Sequence, residues 1–212
     1  MTKYVLNSGN AKRFPDKLRK YNEEVFKDFK NPSVLAQRMP GSANKSGPVK
    51  VLMCIFAQQR EFWETKFEIY RKNVGEGVGV EVEVVLAMPD KFVEQCQWAD
   101  VIIIAGGDDE LLEYRFSKFD IPKIWDDKII ATGSASSNYL VDSYWTCDWR
   151  TNMNGRGILP IKFIPHFKSD FGGDDPRGPI DWDKAYKKTE EYGDKSLPIY
   201  ALEEGDFVVF NI

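Results

Sequence analysis

The amino-acid sequence predicts an α/β fold built on a doubly wound, mainly parallel sheet, in one domain spanning residues 1–212. Two observations predict this class. Nearly unbroken apolar runs at 50–57 (KVLMCIFA) and 101–105 (VIIIA) are typical of parallel strands covered on both faces. Segments with helical spacing alternate with such runs along the chain, which indicates strands joined by helices on both faces of the sheet.

The predicted elements follow one another in this alternating order. The strand at 80–86 alternates valine with glutamate before it becomes apolar, which indicates a position nearer an edge of the sheet. The remaining strands share short apolar runs bounded by turn residues, and they cover residues 50–57, 101–105, 129–131 and 158–164. The predicted helices cover residues 17–29, 60–72, 111–118 and 136–143.

The end of the chain predicts a different kind of pairing. Residues 198–202 and 207–212 are joined by Glu203-Glu204-Gly205-Asp206, a turn sequence that favours an antiparallel C-terminal hairpin at one edge. Residues 40–48 (PGSANKSGP) predict a surface loop that comes too early in the chain to separate two cores.

Composition and charge restrict the function classes. Hydrophobic residues make up 42% and charged residues 29%, which is typical of a soluble globular protein. The net charge of −4 argues against nucleic acid as a partner, and no apolar stretch approaches the ~20 residues of a membrane span. The charged N-terminus lacks a signal-peptide core, so we expect a cytoplasmic protein. Basic residues near the N-terminus have helical spacing and predict a solvated helix face: Lys12, Arg13, Lys17, Arg19 and Lys20.

Three cysteines bear on the compartment and on metals. Cys54, Cys96 and Cys147 are odd in number and widely spaced, which fits neither a disulfide framework nor a zinc pattern. We expect free thiols in a reducing compartment, and no metal or organic cofactor.

Residues 129–138 (IIATGSASSN) have the layout of a nucleophile elbow, in which a strand, a sharp turn and a helix follow one another around Ser134. The turn tolerates only small neighbours, and a helix starting after Ser134 would direct N–H groups at developing negative charge. Thr132 and Ser136 occupy the glycine positions of the usual G-x-S-x-G pattern. A strand followed by a serine-capped helix explains the same local sequence equally well.

His166 is the only histidine, so a serine nucleophile in this chain has one candidate base near neutral pH. A carboxylate must then orient the imidazole, and the chain order Ser, Asp, His favours an aspartate between Ser134 and His166. Asp148 is preferred to Asp142, which falls in the predicted helix 136–143. An ordinary loop aspartate and a partly buried histidine are the simpler alternatives.

Ala105-Gly106-Gly107-Asp108 follows an apolar strand, at the edge where open α/β sheets bind ligands. The backbone N–H groups of these glycines could complete an oxyanion hole, although such a turn also occurs for structural reasons alone.

Four blocks in order resemble the peptidase E (aspartyl dipeptidase) family of serine peptidases, which has a class I glutamine amidotransferase-like fold. The family shows Gly-Gly-Gly-Asn after a strand, Gly-Trp-Ser-Ala-Gly-(Ala/Ser)-Asn at the elbow, an Asn-Asp step, and Pro-His-Phe. The matching blocks here are Ala105-Gly106-Gly107-Asp108, Thr132-Gly133-Ser134-Ala135-Ser136-Ser137-Asn138, Cys147-Asp148 and Pro165-His166-Phe167.

The resemblance implies a peptidase that cleaves short peptides, with possible preference for Asp-X, without a cofactor. It implies that Ser134 is the nucleophile, His166 the general base and then acid, and Asp148 the orienting carboxylate. Backbone N–H groups would form the oxyanion hole, namely those of Gly106 or Gly107 and of Ala135. A loose match to the segment after the histidine implies that Arg177 receives a substrate carboxylate.

The chain departs from the family pattern at Ser136, which replaces a glycine, and at Asp108, which replaces an asparagine. Asp109 adds negative charge if it faces inward. A cyanophycinase-like hydrolase would use the same catalytic residues, and a non-catalytic binding module could retain the fold. Glutamine amidotransferase chemistry is disfavoured because it uses cysteine where Ser134 stands.

Overall fold

The structure, a computed structural model, describes residues 1–31 and 47–212. Most of the predicted loop at 40–48 lies outside these described residues. The predicted fold class is confirmed, since the chain forms a mostly parallel sheet flanked by helices, with an antiparallel strand at the C-terminal edge.

The first sheet has six strands in the order β10-β1-β5-β4-β2-β3. Five of them are parallel, and β10 runs antiparallel to β1. The strands share short apolar sequences, and they are β1 (Lys3–Asn7), β2 (Val49–Cys54), β3 (Val82–Leu86), β4 (Val101–Ile104), β5 (Ile129–Gly133) and β10 (Phe207–Asn211). The predicted edge position of β3 is confirmed.

Strand β1 is not among the predicted elements, although it is buried along its whole length. Its sequence begins with a lysine and ends with an asparagine, so the apolar signal is only three residues long. Lys3 is nevertheless fully buried, because its ammonium pairs with the Glu24 carboxylate at 2.8 Å. A buried charge of this kind requires a partner, and periodicity alone cannot reveal one.

A second sheet of four strands, in the order β7-β6-β8-β9, is also absent from the prediction. Its strands are β6 (Val141–Thr146), β7 (Thr151–Asn154), β8 (Leu159–Ile164) and β9 (Ile199–Ala201). The predicted helix at 136–143 is too long, because a helix spans only Ala135–Leu140 and the chain then enters β6 directly. Asp142 therefore lies in a strand.

The two predicted strands of the C-terminal hairpin exist, but they do not pair with each other. Strand β9 pairs in parallel with β8 in the second sheet, whereas β10 pairs with β1 in the first. The turn at 203–206 thus carries the chain from one sheet to the other. The turn sequence is compatible with both paths, so local sequence cannot choose between them.

Six α-helices among the described residues connect and cover the strands. They are α1 (Pro15–Phe26), α2 (Trp63–Tyr70), α3 (Phe92–Trp98), α4 (Asp109–Phe116), α5 (Ala135–Leu140) and α6 (Trp182–Glu191). None of these helices is long and apolar enough to cross a membrane.

The strand order assigns the helices of the first sheet to its two faces. Right-handed crossovers place α1 and α2 on one face, and α3 and α4 on the other, because the direction of strand addition reverses after β3. Contacts agree with this assignment. Asn22 of α1 bonds to the backbone oxygen of Asn73 just after α2, whereas Phe92 of α3 stacks on Phe116 of α4.

Candidate functional site

Strands from both sheets end at one place on the molecule. Loops that follow β1, β4 and β5 approach it from the first sheet, and loops that follow β8 and β9 approach it from the second. Ligands of open α/β sheets bind outside such carboxyl ends. The candidate site is therefore the region where these two sets of strand ends meet.

Ser134 lies immediately after β5 and before α5, with φ of 54° and ψ of −118°. Positive φ is uncommon for a residue with a side chain, and it persists only where surrounding contacts hold it. Here the Ser134 N–H donates to the backbone oxygen of Asn7 at 3.0 Å. The turn thus has the strained backbone expected of an elbow that exposes its serine hydroxyl.

Ser136 takes the place of the family glycine without disrupting this turn. Its hydroxyl donates to the backbone oxygen of Ile104 at 2.6 Å and accepts from the Gly133 N–H at 2.8 Å. These bonds tie the elbow to the end of β4. Ser136, which replaces the family glycine, therefore supports the elbow by linking it to β4.

His166 lies two residues after β8 and reaches across to the first sheet. Its Nε2 is 3.0 Å from the Ser134 Oγ, so the structure brings together the predicted nucleophile and the predicted base. The imidazole is buried and stacks on the Phe171 ring, with centroids 4.2 Å apart. This packing holds the ring in one orientation.

The carboxylate behind the imidazole is Glu204, not Asp148. The Nδ1 of His166 is 3.1 Å from Oε1 of Glu204, and the same oxygen accepts a bond from Asn10 at 2.7 Å. Asp148 is exposed in the turn after β6 and makes no hydrogen bond with the imidazole among the described residues. The prediction that Asp148 orients His166 is therefore wrong in its geometry.

Glu204 escaped prediction because its sequence context indicates only a turn. It follows His166 in the chain, so the order Ser, Asp, His directs attention away from it. The available signal is that Glu204 comes three residues after β9, which pairs in parallel with the strand preceding His166. Parallel neighbours end at the same edge of a sheet, but this pairing is visible only in the folded chain.

Electrostatics keep the imidazole suited to accept a proton. Burial lowers the pKa of His166 below its ordinary value of 6.5, while the Glu204 carboxylate opposes that shift. The neutral imidazole therefore prevails near pH 7. Once it accepts a proton, the buried carboxylate stabilises the resulting charge.

The loop at 7–10 joins all three candidate side chains. The Ser8 hydroxyl accepts from the His166 N–H at 2.6 Å and donates to the Leu202 oxygen at 2.9 Å. Gly9 has a φ of 112°, and a Cβ added there would lie 2.6 Å from the His166 ring. Only glycine permits this approach, so the end of β1 is fitted to the imidazole.

The predicted oxyanion groups lie close to Ser134 to different degrees. Gly106 lies close to the elbow, since a Cβ added there would lie 2.4 Å from the Gly133 oxygen and 3.1 Å from the Ser134 Cβ. Ala135 follows Ser134 directly and is the first residue of α5. Gln58 donates to the Gly106 oxygen at 2.6 Å. Because the peptide bond is planar and trans, the N–H of Gly107 points away from Gln58.

Two aspartates beside this turn have separate explanations. Asp108 caps α4, with its carboxylate accepting from the Leu111 N–H at 2.8 Å. Asp109 is mostly buried and accepts from the Asn138 amide at 3.1 Å. Burial raises the pKa of Asp109 to about 6, and the neighbouring carboxylate of Asp148 adds to the shift. Asp108, the carboxylate at the family's asparagine position, therefore caps helix α4.

Arg177 is engaged on the protein surface. Its guanidinium pairs with Asp175 at 2.5 Å and donates to the backbone oxygen of Asp148 at 2.7 Å. This guanidinium holds the pKa of Asp175 well below its ordinary value. A substrate carboxylate would have to displace Asp175, so the predicted role of Arg177 finds no support in these contacts.

A cavity of about 560 Å³ opens in front of Ser134 and His166. On the face of α1 and α2 its lining mixes apolar residues, among them Leu18, Met53 and Ile103, with the polar Asn22 and Asn73. Its charged lining residues are Lys12 and Asp148. Among the described residues, no group of three or more histidine, cysteine, aspartate or glutamate side chains is placed to hold a metal ion.

Comparisons with known proteins bear on the fold. A scan against protein-family models finds no match, and a search of curated proteins finds none either. The chain is similar to a 1.5 Å crystal structure from Listeria monocytogenes EGD-e that is described provisionally as a peptidase E protein. Identity is 14% and the TM-score 0.52, with 100% of this chain and 99% of that chain covered. The likeness shows that this chain has a peptidase E-like fold.

Proposed function

We propose that this chain is a serine-type peptidase that hydrolyses short peptides through Ser134, His166 and Glu204. One observation carries the proposal: a continuous contact from the serine hydroxyl through both imidazole nitrogens to a buried carboxylate. The strained elbow at Ser134 and the resemblance to peptidase E support the same reaction class.

The reaction is acyl transfer in two steps. His166 Nε2 takes the proton from the Ser134 hydroxyl as the oxygen attacks the peptide carbonyl, and then gives that proton to the leaving amine. Water activated by the same imidazole hydrolyses the ester on Ser134. Glu204 fixes the tautomer by accepting from Nδ1 and stabilises the imidazolium that forms in each step.

The oxyanion of each tetrahedral intermediate needs donors beside Ser134. We assign them to the N–H of Ala135 and to that of Gly106 or Gly107, at the two turns that meet at the elbow. The first N–H groups of a helix have no intrahelical partner, and their dipole favours negative charge. Loss of one such donor typically costs about 10²–10³ in rate.

The cavity size supports a small substrate. Pockets of about 300–1,000 Å³ enclose small ligands, and the cavity of about 560 Å³ falls in this range. A dipeptide therefore suits the site better than a folded protein does. The three buried free thiols fit a reducing compartment, which supports the cytoplasm as the place of action.

The test is hydrolysis of a dipeptide panel, with Asp-X, Glu-X and neutral pairs, followed by mass spectrometry. We expect Ser134→Ala to lower kcat/KM by about 10⁵-fold or more, since the nucleophile and its base act as one unit. Ser117→Ala is the matched control, because that exposed hydroxyl bonds only to the Tyr114 oxygen within residues 1–31 and 47–212. Cleavage that survives Ser134→Ala, or none by the folded protein, would contradict the proposal and favour a binding module.

A further inference from the structure

Two charged side chains line the cavity without taking part in the catalytic contacts. Lys12 lies in the short 3₁₀ turn Ala11–Arg13 between β1 and α1, and Asp148 lies in the turn after β6. The sequence predicts the first as part of a solvated helix face and the second as the orienting carboxylate. The structure gives both a different setting.

Lys12 supplies the positive charge at one side of the cavity, whereas Lys66 lines a neighbouring pocket with Asp108 and Glu110. The Lys12 Nζ lies 5.8 Å from the centroid of the Tyr70 ring at the end of α2. Lys66 of the same helix bonds to the Gln58 side chain, and the Lys12 charge reaches it. Within residues 1–31 and 47–212, neither ammonium forms an ion pair with a carboxylate. A carboxylate bound in the cavity would therefore meet the Lys12 ammonium without a competing ion pair from these residues.

Asp148 presents a carboxylate at the other side. In the part of the chain that the structure describes, no side chain forms a hydrogen bond or ion pair with the Asp148 carboxylate, although Arg177 donates to the Asp148 backbone oxygen. Asp148 lines the same cavity as Ser134 and His166, and its charge acts on His166 and on Asp109. Arg177, which its charge also reaches, is already paired with Asp175. The Asp148 carboxylate is thus available to a cation beside the imidazole.

The topology separates these two charges across the edge of the first sheet. The Lys12 ammonium lies over the Tyr70 ring on the face of α1 and α2. Asp148 follows β6, which continues directly from α5, and α5 packs on α4 of the opposite face through Tyr139 and Phe116. Ser134 follows β5, between them, at the carboxyl edge of the sheet. A ligand lying across Ser134 meets a positive group on one side and a negative group on the other.

We propose that Lys12 and Asp148 are specificity-determining residues that select dipeptides with both termini free. The inference rests on the proposed peptidase function and deepens it. The residue acylated on Ser134 keeps its α-ammonium near Asp148, and the leaving residue carries its carboxylate toward Lys12. Two extended residues span about 7 Å, so both charges of a dipeptide stay close to the scissile carbonyl. Leu18, Met53 and Ile103 in the cavity lining suit an apolar second residue.

The experiment compares four substrates with the same scissile bond: Ala-Leu, N-acetyl-Ala-Leu, Ala-Leu amide and the doubly blocked peptide. We expect Lys12→Met to raise KM for Ala-Leu about five- to tenfold and to leave KM for the amide unchanged. Asp148→Asn should raise KM for Ala-Leu similarly and leave that for N-acetyl-Ala-Leu unchanged. In both variants kcat should stay close to that of the wild type.

Lys20→Met and Asp183→Asn are the matched controls, since both side chains are exposed and neither lines the cavity. Equal losses on free and blocked substrates, or no loss on Ala-Leu, would overturn the assignment. Labelling of Ser134 by a neutral fluorophosphonate separates the two proposals. If Ser134 is labelled but the variants do not distinguish free from blocked substrates, only the specificity inference is wrong. If Ser134 of the wild type is not labelled, both proposals are wrong.

Discussion

The two sheets contribute to the site in different ways. The first sheet supplies Ser134 from one continuous segment, in which a strand, a turn and a helix create the elbow. The second sheet supplies His166 and Glu204 from the ends of two parallel strands, 38 positions apart in the chain. Ser134, the proposed nucleophile, is thus positioned by local backbone geometry, whereas His166 and Glu204 are positioned by strand pairing between distant segments.

Separate substitution of the two candidate carboxylates, Glu204 and Asp148, by the corresponding amides tests this contrast most strongly. We expect Glu204→Gln to lower kcat by about 10³–10⁴-fold on every substrate, because Nδ1 loses its charged acceptor. The acid limb of the kcat profile, which follows protonation of His166, should move to lower pH. The Glu204 charge raises the imidazole pKa, so its removal lowers that pKa further.

Asp148→Asn is the comparison variant for that measurement. It should leave kcat near the wild-type value, with its effect confined to KM for substrates that have a free N-terminus. A larger fall in kcat from Asp148→Asn than from Glu204→Gln would restore Asp148 as the orienting residue.

We expect the second largest effect at Gly9, where the chain after β1 lies close against the His166 imidazole. Gly9→Ala would place a Cβ 2.6 Å from the His166 ring, so the ring must move. We expect kcat to fall by about 10²-fold, the cost typical of a displacement near 1 Å. Gly79→Ala is the control, since Gly79 also has positive φ but no atom of the described residues lies within 4 Å of an added Cβ. Equal kcat in the two variants would show that the close approach is unimportant.

Ser8 joins the two sheets beneath the site. Ser8→Ala leaves the His166 N–H without its acceptor in a fully buried position. We expect the free energy of unfolding to fall by about 1–3 kcal/mol, as measured by urea denaturation. Ser117→Ala, at an exposed hydroxyl, should change it by less than about 0.5 kcal/mol. An unchanged midpoint in Ser8→Ala would mean that this junction contributes little.

The smallest effect concerns Asp109, whose pKa is raised to about 6 by burial and like charges. Its ionised form destabilises the fold above that pH, and the penalty disappears as pH falls toward the ordinary pKa of an aspartate. Asp109→Asn should therefore stabilise the protein at pH 8 by about 1 kcal/mol, with the difference shrinking below pH 6. Thermal unfolding of Asp109→Asn and the wild type, at pH 8 and below pH 6, measures this difference in stability. A difference that grows as the pH falls would contradict the prediction.

What could be predicted from the sequence follows the same division. The apolar runs predict the strands β2 and β4, and the turn TGSAS predicts the elbow, because each signal lies within ten residues. The contact between Ser134 and His166 follows from a single histidine and the order of the motifs. Both depend on residue types that few other positions in the chain supply.

Glu204 and the second sheet could not be predicted in this way. Residues 198–212 contain two strand segments and a turn, and local sequence favours the simplest pairing between them. The alternative pairing, with one strand in each sheet, is stabilised by β1 and β8, which are far away in the chain. The position of Glu204 is a consequence of that choice.

The loop at 7–10 also sets the time at which activity can arise. The Asn7 side chain bonds to the Gly205 oxygen, 198 positions later in the chain. During synthesis on a ribosome, residues 7–10 are made early. His166 can contact Glu204, and residues 7–10 can bond to the C-terminal segment, only after residues 199–211 have been made. A nascent chain that has reached Ser134 and His166 therefore lacks the Glu204 contact, so the proposed triad is complete only after nearly all of the described chain has been synthesised.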